Sequence, residues 1–98
     1  MAKKIKITRY DTAEYLKTEE DITGYMREVM KADDPALFAY ALGVVARARG
    51  MTKVAKKAGL SRESLYKALS TEGNPEFGTV MRVMQALGMK LSITSVQA

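Results

Sequence analysis

The 98-residue sequence contains no cysteine, no histidine and no tryptophan, and only two prolines. Without cysteine there is no disulfide framework and no thiol nucleophile. Without histidine there is no Ser-His or Cys-His pair, and most zinc sites lose their ligands. No apolar run approaches the ~18 residues of a membrane span. Met1-Ala2-Lys3-Lys4 leads into an alternating segment rather than the apolar centre of a secretory leader, so the chain reads as cytoplasmic, with no membrane partner. A chain this short holds one core. It buries only ~60–65% of its unfolded surface, which favours pairing with a second copy.

What the sequence does have is charge, +5 in total, divided into blocks. Residues 1–10 carry four basic and no acidic groups; residues 11–34 carry eight acidic and three basic. Residues 35–70 carry seven basic and one acidic, and residues 71–98 balance. A basic block suits a polyanion and an acidic block suits a basic partner.

Lys3 to Arg9 alternates polar and apolar, the pattern of a short strand. Asp11 with Glu14 starts one helical turn. Thr18-Glu19-Glu20-Asp21 starts a helix whose apolar face is Ile22, Tyr25, Met26, Val29 and Met30. Asp33-Asp34-Pro35 starts the next, with Leu37, Phe38, Ala41, Leu42, Val45 and Ala48 as its buried stripe and Gly50 as its stop. Thr52 opens a short helix to Ala58, and Ser61 caps another from Arg62 to about Leu69. Gly73-Asn74-Pro75 reads as turn, cap and first helical residue of the last helix, which presents Phe77, Val80, Met81, Met84 and Leu87 and ends at Gly88. Met89 to Val96 alternates weakly and is read as a second strand.

Residues 51–70 carry the functional signal. Two short helices joined by a three-residue turn containing glycine is the helix-turn-helix layout. Ala55 is small enough to let the helices cross, and Gly59 supplies a positive φ. Val54, Ala58, Leu60, Leu65 and Leu69 fill the wedge beneath. Arg62, Glu63, Tyr66 and Lys67 then point outward from the second helix, all able to hydrogen-bond, inside the basic block. Reading the major groove of DNA requires such a helix.

These residues also resemble a known class. Thr52-Lys53-Val54-Ala55-Lys56, Gly59-Leu60-Ser61 and Leu65-Tyr66-Lys67-Ala68-Leu69 are similar to the Cro/repressor (XRE-type) helix-turn-helix. Asp11 to Leu16, Val44 to Thr52, Ser61 to Ser70 and Gly73 to Phe77 resemble HigA-like addiction-module antidote proteins. The resemblance implies a lambda-repressor-like domain and a bacterial antitoxin that represses its own operon and neutralises a RelE/HigB-like ribonuclease. By the family pattern, base-facing roles fall on Ser61, Arg62, Glu63, Tyr66 and Lys67, and phosphate contacts on Thr52, Lys53 and Asn74. Glu63 reads either as an acceptor for a cytosine amino group or as a brace for Arg62. Tyr66 reads equally as a DNA contact or as a half-buried aromatic.

The remaining constellations have structural readings. Glu19-Glu20-Asp21 and Asp33-Asp34 sit at helix starts, where capping and the helix dipole account for them better than a metal does. Ser61, Ser64 and Ser70 have no histidine partner, and no enzyme activity or cofactor is expected. The seven methionines fall mostly at core spacing. Tyr10, Tyr15 and Tyr25 are either core or interface anchors.

The expectation is one mainly α domain over residues 1–98, a five-helix lambda-repressor-like DNA-binding fold with short N- and C-terminal strands. Residues 1–34 form the N-terminal strand and acidic extension, 35–88 the DNA-binding core and 89–98 the tail. The expected partners are operator DNA, a small basic toxin and a second copy of the chain. Tyr15, Glu19, Glu20, Tyr25 and Glu28 are the expected toxin contacts, on the side away from Arg62 and Lys67. The alternative is a stand-alone XRE-type repressor without a toxin.

Overall fold

Residues 36–46 carry no charged side chain and a single hydroxyl, that of Tyr40. A helix made of such residues cannot face water on any side and must be enclosed. In the structure, a computed structural model describing residues 12–70 and 74–96, most of them are enclosed, though Ala36 is exposed and Leu37, Phe38 and Tyr40 are partly buried. After a 3-10 turn, Thr12–Tyr15, come α1 (Glu19–Met30), α2 (Pro35–Arg49), α3 (Met51–Ala58), α4 (Arg62–Ala68) and α5 (Phe77–Ala86). The 3-10 turn, α1, α3 and α5 all pack on α2, α5 also packs on α3, and α4 packs on α3. Every residue from Ala41 to Ala46 is buried, as is Ala39. The single stripe expected for this helix is therefore too narrow. Gly43, Val44 and Ala46 are covered as well, because the 3-10 turn, α1, α3 and α5 all pack on α2, while Leu37, Phe38 and Ala48 are only partly buried. No polar or charged side chain is buried among the described residues.

Local chemistry sets most of the boundaries. The Thr18 hydroxyl accepts from the Asp21 N–H at 3.0 Å, and the Asp21 carboxylate accepts from the N–H groups of Thr18 (3.0 Å) and Lys17 (3.1 Å). This reciprocal capping box starts α1. The two backbone hydrogen bonds hold the Asp21 carboxyl below its ordinary value. Asp34 caps α2 by accepting from the N–H groups of Ala36 and Leu37, with Pro35 next to it. Asp21 and Asp34 are thus engaged as the caps of these two helices.

At the end of α3, Gly59 adopts φ 75°, and the Leu60 N–H donates to the Ala55 carbonyl at 2.9 Å. The same closure ends α5, where Gly88 has φ 77° and the Met89 N–H reaches the Met84 carbonyl at 2.8 Å.

Three boundaries differ from the sequence reading. α3 begins at Met51 rather than Thr52, because Gly50 closes α2 and opens α3 without a side-chain cap. α5 begins at Phe77, with Glu76 in the cap position and no side-chain cap bond. Asn74 and Pro75 lie ahead of it, against the turn between α1 and α2, so tertiary contact outweighs the local cap signal. Met89–Val96 is not a strand. It has no paired strand among the described residues; Met89 and Leu91 lean on the core, while Ile93 and Val96 are exposed. The expected strand Lys3–Arg9 and the cap at Asp11 lie outside the described residues.

Two measurements check this account. Gly59→Ala places a Cβ at φ 75°, which should lower the unfolding free energy by about 1–2 kcal/mol in a urea titration, with Gly59→Asn losing less. The second concerns Tyr25. Burial pushes its phenol up from 10.0 to about 12; neighbouring Tyr40 adds to the rise and Arg47 offsets part of it. A pKa raised on folding gives a contribution that is full below pH ~10 and is lost as pH rises towards 12. One phenol should therefore titrate near 12 by absorbance at 295 nm. Tyr25→Phe should remove that step and weaken the alkaline loss of stability.

Candidate nucleic-acid interface

The seven residues of α4 are too few to form a helix by themselves in water, so the helix exists by what it rests on. Leu65, fully buried, and Leu69, 4% exposed, are four residues apart and anchor one side. They meet Val54, Ala55 and Ala58 of α3, all buried. On the far side Leu69 lies against α2 at Gly43. A Cβ there would stand 3.0 Å from the Leu69 carbonyl oxygen and 3.3 Å from its Cβ. The small residues at Gly43 and Ala55 let α4 sit close, and its other side chains, except the partly buried Ala68, are left in solvent.

That solvent face holds the residues expected to read bases. Arg62, Glu63, Tyr66 and Lys67 are all exposed. The Arg62 guanidinium lies 5.9 Å from the centre of the Tyr66 ring, a cation–π contact one helical turn long that limits where the guanidinium can go. Tyr66 is 49% exposed, which leaves its ring accessible to solvent. Glu63 stands in the first turn of α4, where negative charge suits the helix dipole. The Ser61 hydroxyl is occupied at the helix start, accepting from the Ser64 N–H at 3.0 Å and donating to the Ser64 hydroxyl at 2.9 Å. One acceptor lone pair remains to it.

Thr52 and Lys53 are exposed in the first turn of α3 but sit on different sides. Lys53 lines an open cleft of about 700 Å³ between α3 and α5, with Arg49, Lys57 and Arg82. None of these four cations forms an ion pair among the described residues. Glu19 lines the same cleft, so four cations stand against one carboxylate; the excess of like charge repels, and an anion entering the cleft relieves that repulsion. Arg49, Lys57 and Arg82 are absent from the sequence reading. The first two had a signal, since Arg49, Lys53 and Lys57 recur every four residues. Arg82 had none, because it reaches the cleft from α5. Asn74 is elsewhere: it lines a groove with Asp33 and Asp34, whose charges do not suit a phosphate.

The residues expected to meet a basic protein are spread out. Tyr15, 66% exposed, lies on the 3-10 turn. Glu20 is exposed in the first turn of α1, while Glu19 turns to the rim of the basic cleft. Glu28 is exposed and pairs with Lys31 at 2.9 Å. Tyr25 is half-buried against the core.

Similarity to known proteins agrees with the antidote resemblance. The model of a family described as "probable addiction module antidote protein" matches residues 6–95. A Haemophilus influenzae protein described as uncharacterised is 50% identical over 84 residues, spanning 86% of this chain and 87% of its own length. No solved structure matches. With nearly its whole length matched by that model, the chain belongs to the addiction-module antidote family.

Proposed function

We propose that this chain is the HigA-like antitoxin of a type II toxin–antitoxin module. It binds operator DNA through α3, the Gly59 turn and α4, used as an XRE-type helix-turn-helix on a lambda-repressor-like scaffold, and so represses its own operon. It neutralises a small basic RelE/HigB-like ribonuclease toxin by direct binding. Family membership supports the antidote role. The observation that carries the DNA role is α4 itself: a short helix held by two leucines and a close approach at Gly43, with Arg62, Glu63, Tyr66 and Lys67 exposed on its outer face.

In this reading Arg62 has the fork geometry to take guanine O6 and N7, with Tyr66 limiting its swing. Thr52 and the cleft cations Lys53, Arg49, Lys57 and Arg82 hold phosphates and set the register without reading sequence. One recognition helix covers few base pairs, and two copies related by a two-fold axis place two such helices ~34–36 Å apart, so the protein acts as a homodimer. Acidic residues on the exposed side of α1, among them Glu20 and Glu28, speed encounter with a basic toxin.

Titrating variants against operator and scrambled DNA over a range of salt separates these roles. Arg62→Ala should cost ~1–3 kcal/mol on the operator and relax discrimination at one position. Lys53→Ala and Arg82→Ala should weaken both DNAs alike and reduce the salt slope by about one each. Equal losses on both DNAs for Arg62→Ala refute a base-reading role.

A further inference from the structure

We infer that a groove between the end of α1, the start of α2 and the start of α5 docks a basic protein surface through a bulky apolar side chain; on the antitoxin reading above, from which this follows, that protein is the toxin. The groove encloses about 780 Å³. Its walls carry two large apolar residues in water: Met30, the last residue of α1, 49% exposed, and Phe77, the first of α5, 69% exposed. Isolated exposed apolar residues are ordinary, but two on one groove floored by Phe38, Val80 and Leu91 form a contiguous patch. Phe77 is not needed for the core, since α5 buries Val83 and Met84 instead.

The rim selects the occupant. Asp33 and Asp34 line the groove, and no basic residue does among the described residues. Asp34 is engaged as the cap of α2, but the Asp33 carboxylate has no hydrogen bond or ion pair among the described residues. Asp33 also stands at φ 53°, the one non-glycine residue at positive φ among those described, so a free negative charge is held where glycine would be less strained. Nucleic acid is repelled by such a rim. A second copy docked across a two-fold axis would set the two rims, Asp33 and Asp34 against their own counterparts. A cationic polypeptide with an apolar anchor meets complementary charge at the edge and an apolar floor at the centre. No residue of α3 or α4 lines the groove, so it is open while α4 lies on DNA.

The test uses the full chain and the purified toxin encoded in its operon. Phe77→Glu and Met30→Glu should each weaken the complex about thirty-fold or more, as loss of a central anchor does, with thermal midpoint and operator affinity close to wild type. Asp33→Asn, which keeps a residue tolerant of positive φ, should slow association several-fold and flatten its salt dependence. If Phe77→Glu does not fold, Met30→Glu and Asp33→Asn give the result. Wild-type toxin affinity in both folded glutamate variants overturns the groove assignment and leaves the antitoxin reading intact. Conversion of a wild-type dimer to monomer by Phe77→Glu, with toxin binding kept, assigns the groove to a second copy and overturns the proposal as well. A wild-type chain that does not bind the toxin ends both readings.

Discussion

Everything in this small protein is arranged around the need to keep one helix dry. The middle of α2, Ala39 to Ala46, has no charged side chain to offer water and is largely buried, and α1, α3, α5 and the 3-10 turn all pack on this helix. A core of small and branched residues leaves no room for a buried charge, and among the described residues there is none. The ionic groups of the basic and acidic blocks are therefore displaced to the periphery.

The same enclosure explains how a seven-residue helix holds a fixed position. α4 has little intrinsic stability, and its position is dictated by Leu65 and Leu69 against α3 and by the close approach at Gly43. Close approach of this kind leaves the outer side chains free of structural duty. Ser61 is the exception, because the helix start uses its hydroxyl. The Arg62–Tyr66 contact then reduces the freedom that an exposed arginine would otherwise lose on binding.

Much of this was legible in the sequence, and what was legible is local. Thr18 with Asp21, Asp34 with Pro35, Gly59 and Ser61 act on backbone groups within four residues, so their roles follow from type and spacing alone. The outward face of α4 followed from where Leu65 and Leu69 fall. The rest depended on which elements meet in space. Arg82 gains its meaning only because α5 lies along α3. Asn74 and Pro75 look like a helix start until the turn at Asp33 and Asp34 is seen beside them. Tyr25 and Glu28, three residues apart on α1, look like one surface, yet the first is half-buried and the second is exposed. The alternating tail Met89–Val96 has a strand's pattern but no paired strand among the described residues, and pattern without a ladder does not make a sheet.

α2 also has two ends. Its first turn, at Pro35, Ala36 and Phe38, borders the acidic groove; its last residue joins α3 through the single glycine Gly50. A fifteen-residue helix is ~22 Å long and, with its middle closely packed, behaves as a rod rather than a spring. A shift imposed on one end is passed to the other with little absorbed between. Two ligands that each favour a different seating of such a rod are coupled through it. Thermodynamic reciprocity then requires that whatever the first does to the affinity of the second, the second does equally to the affinity of the first.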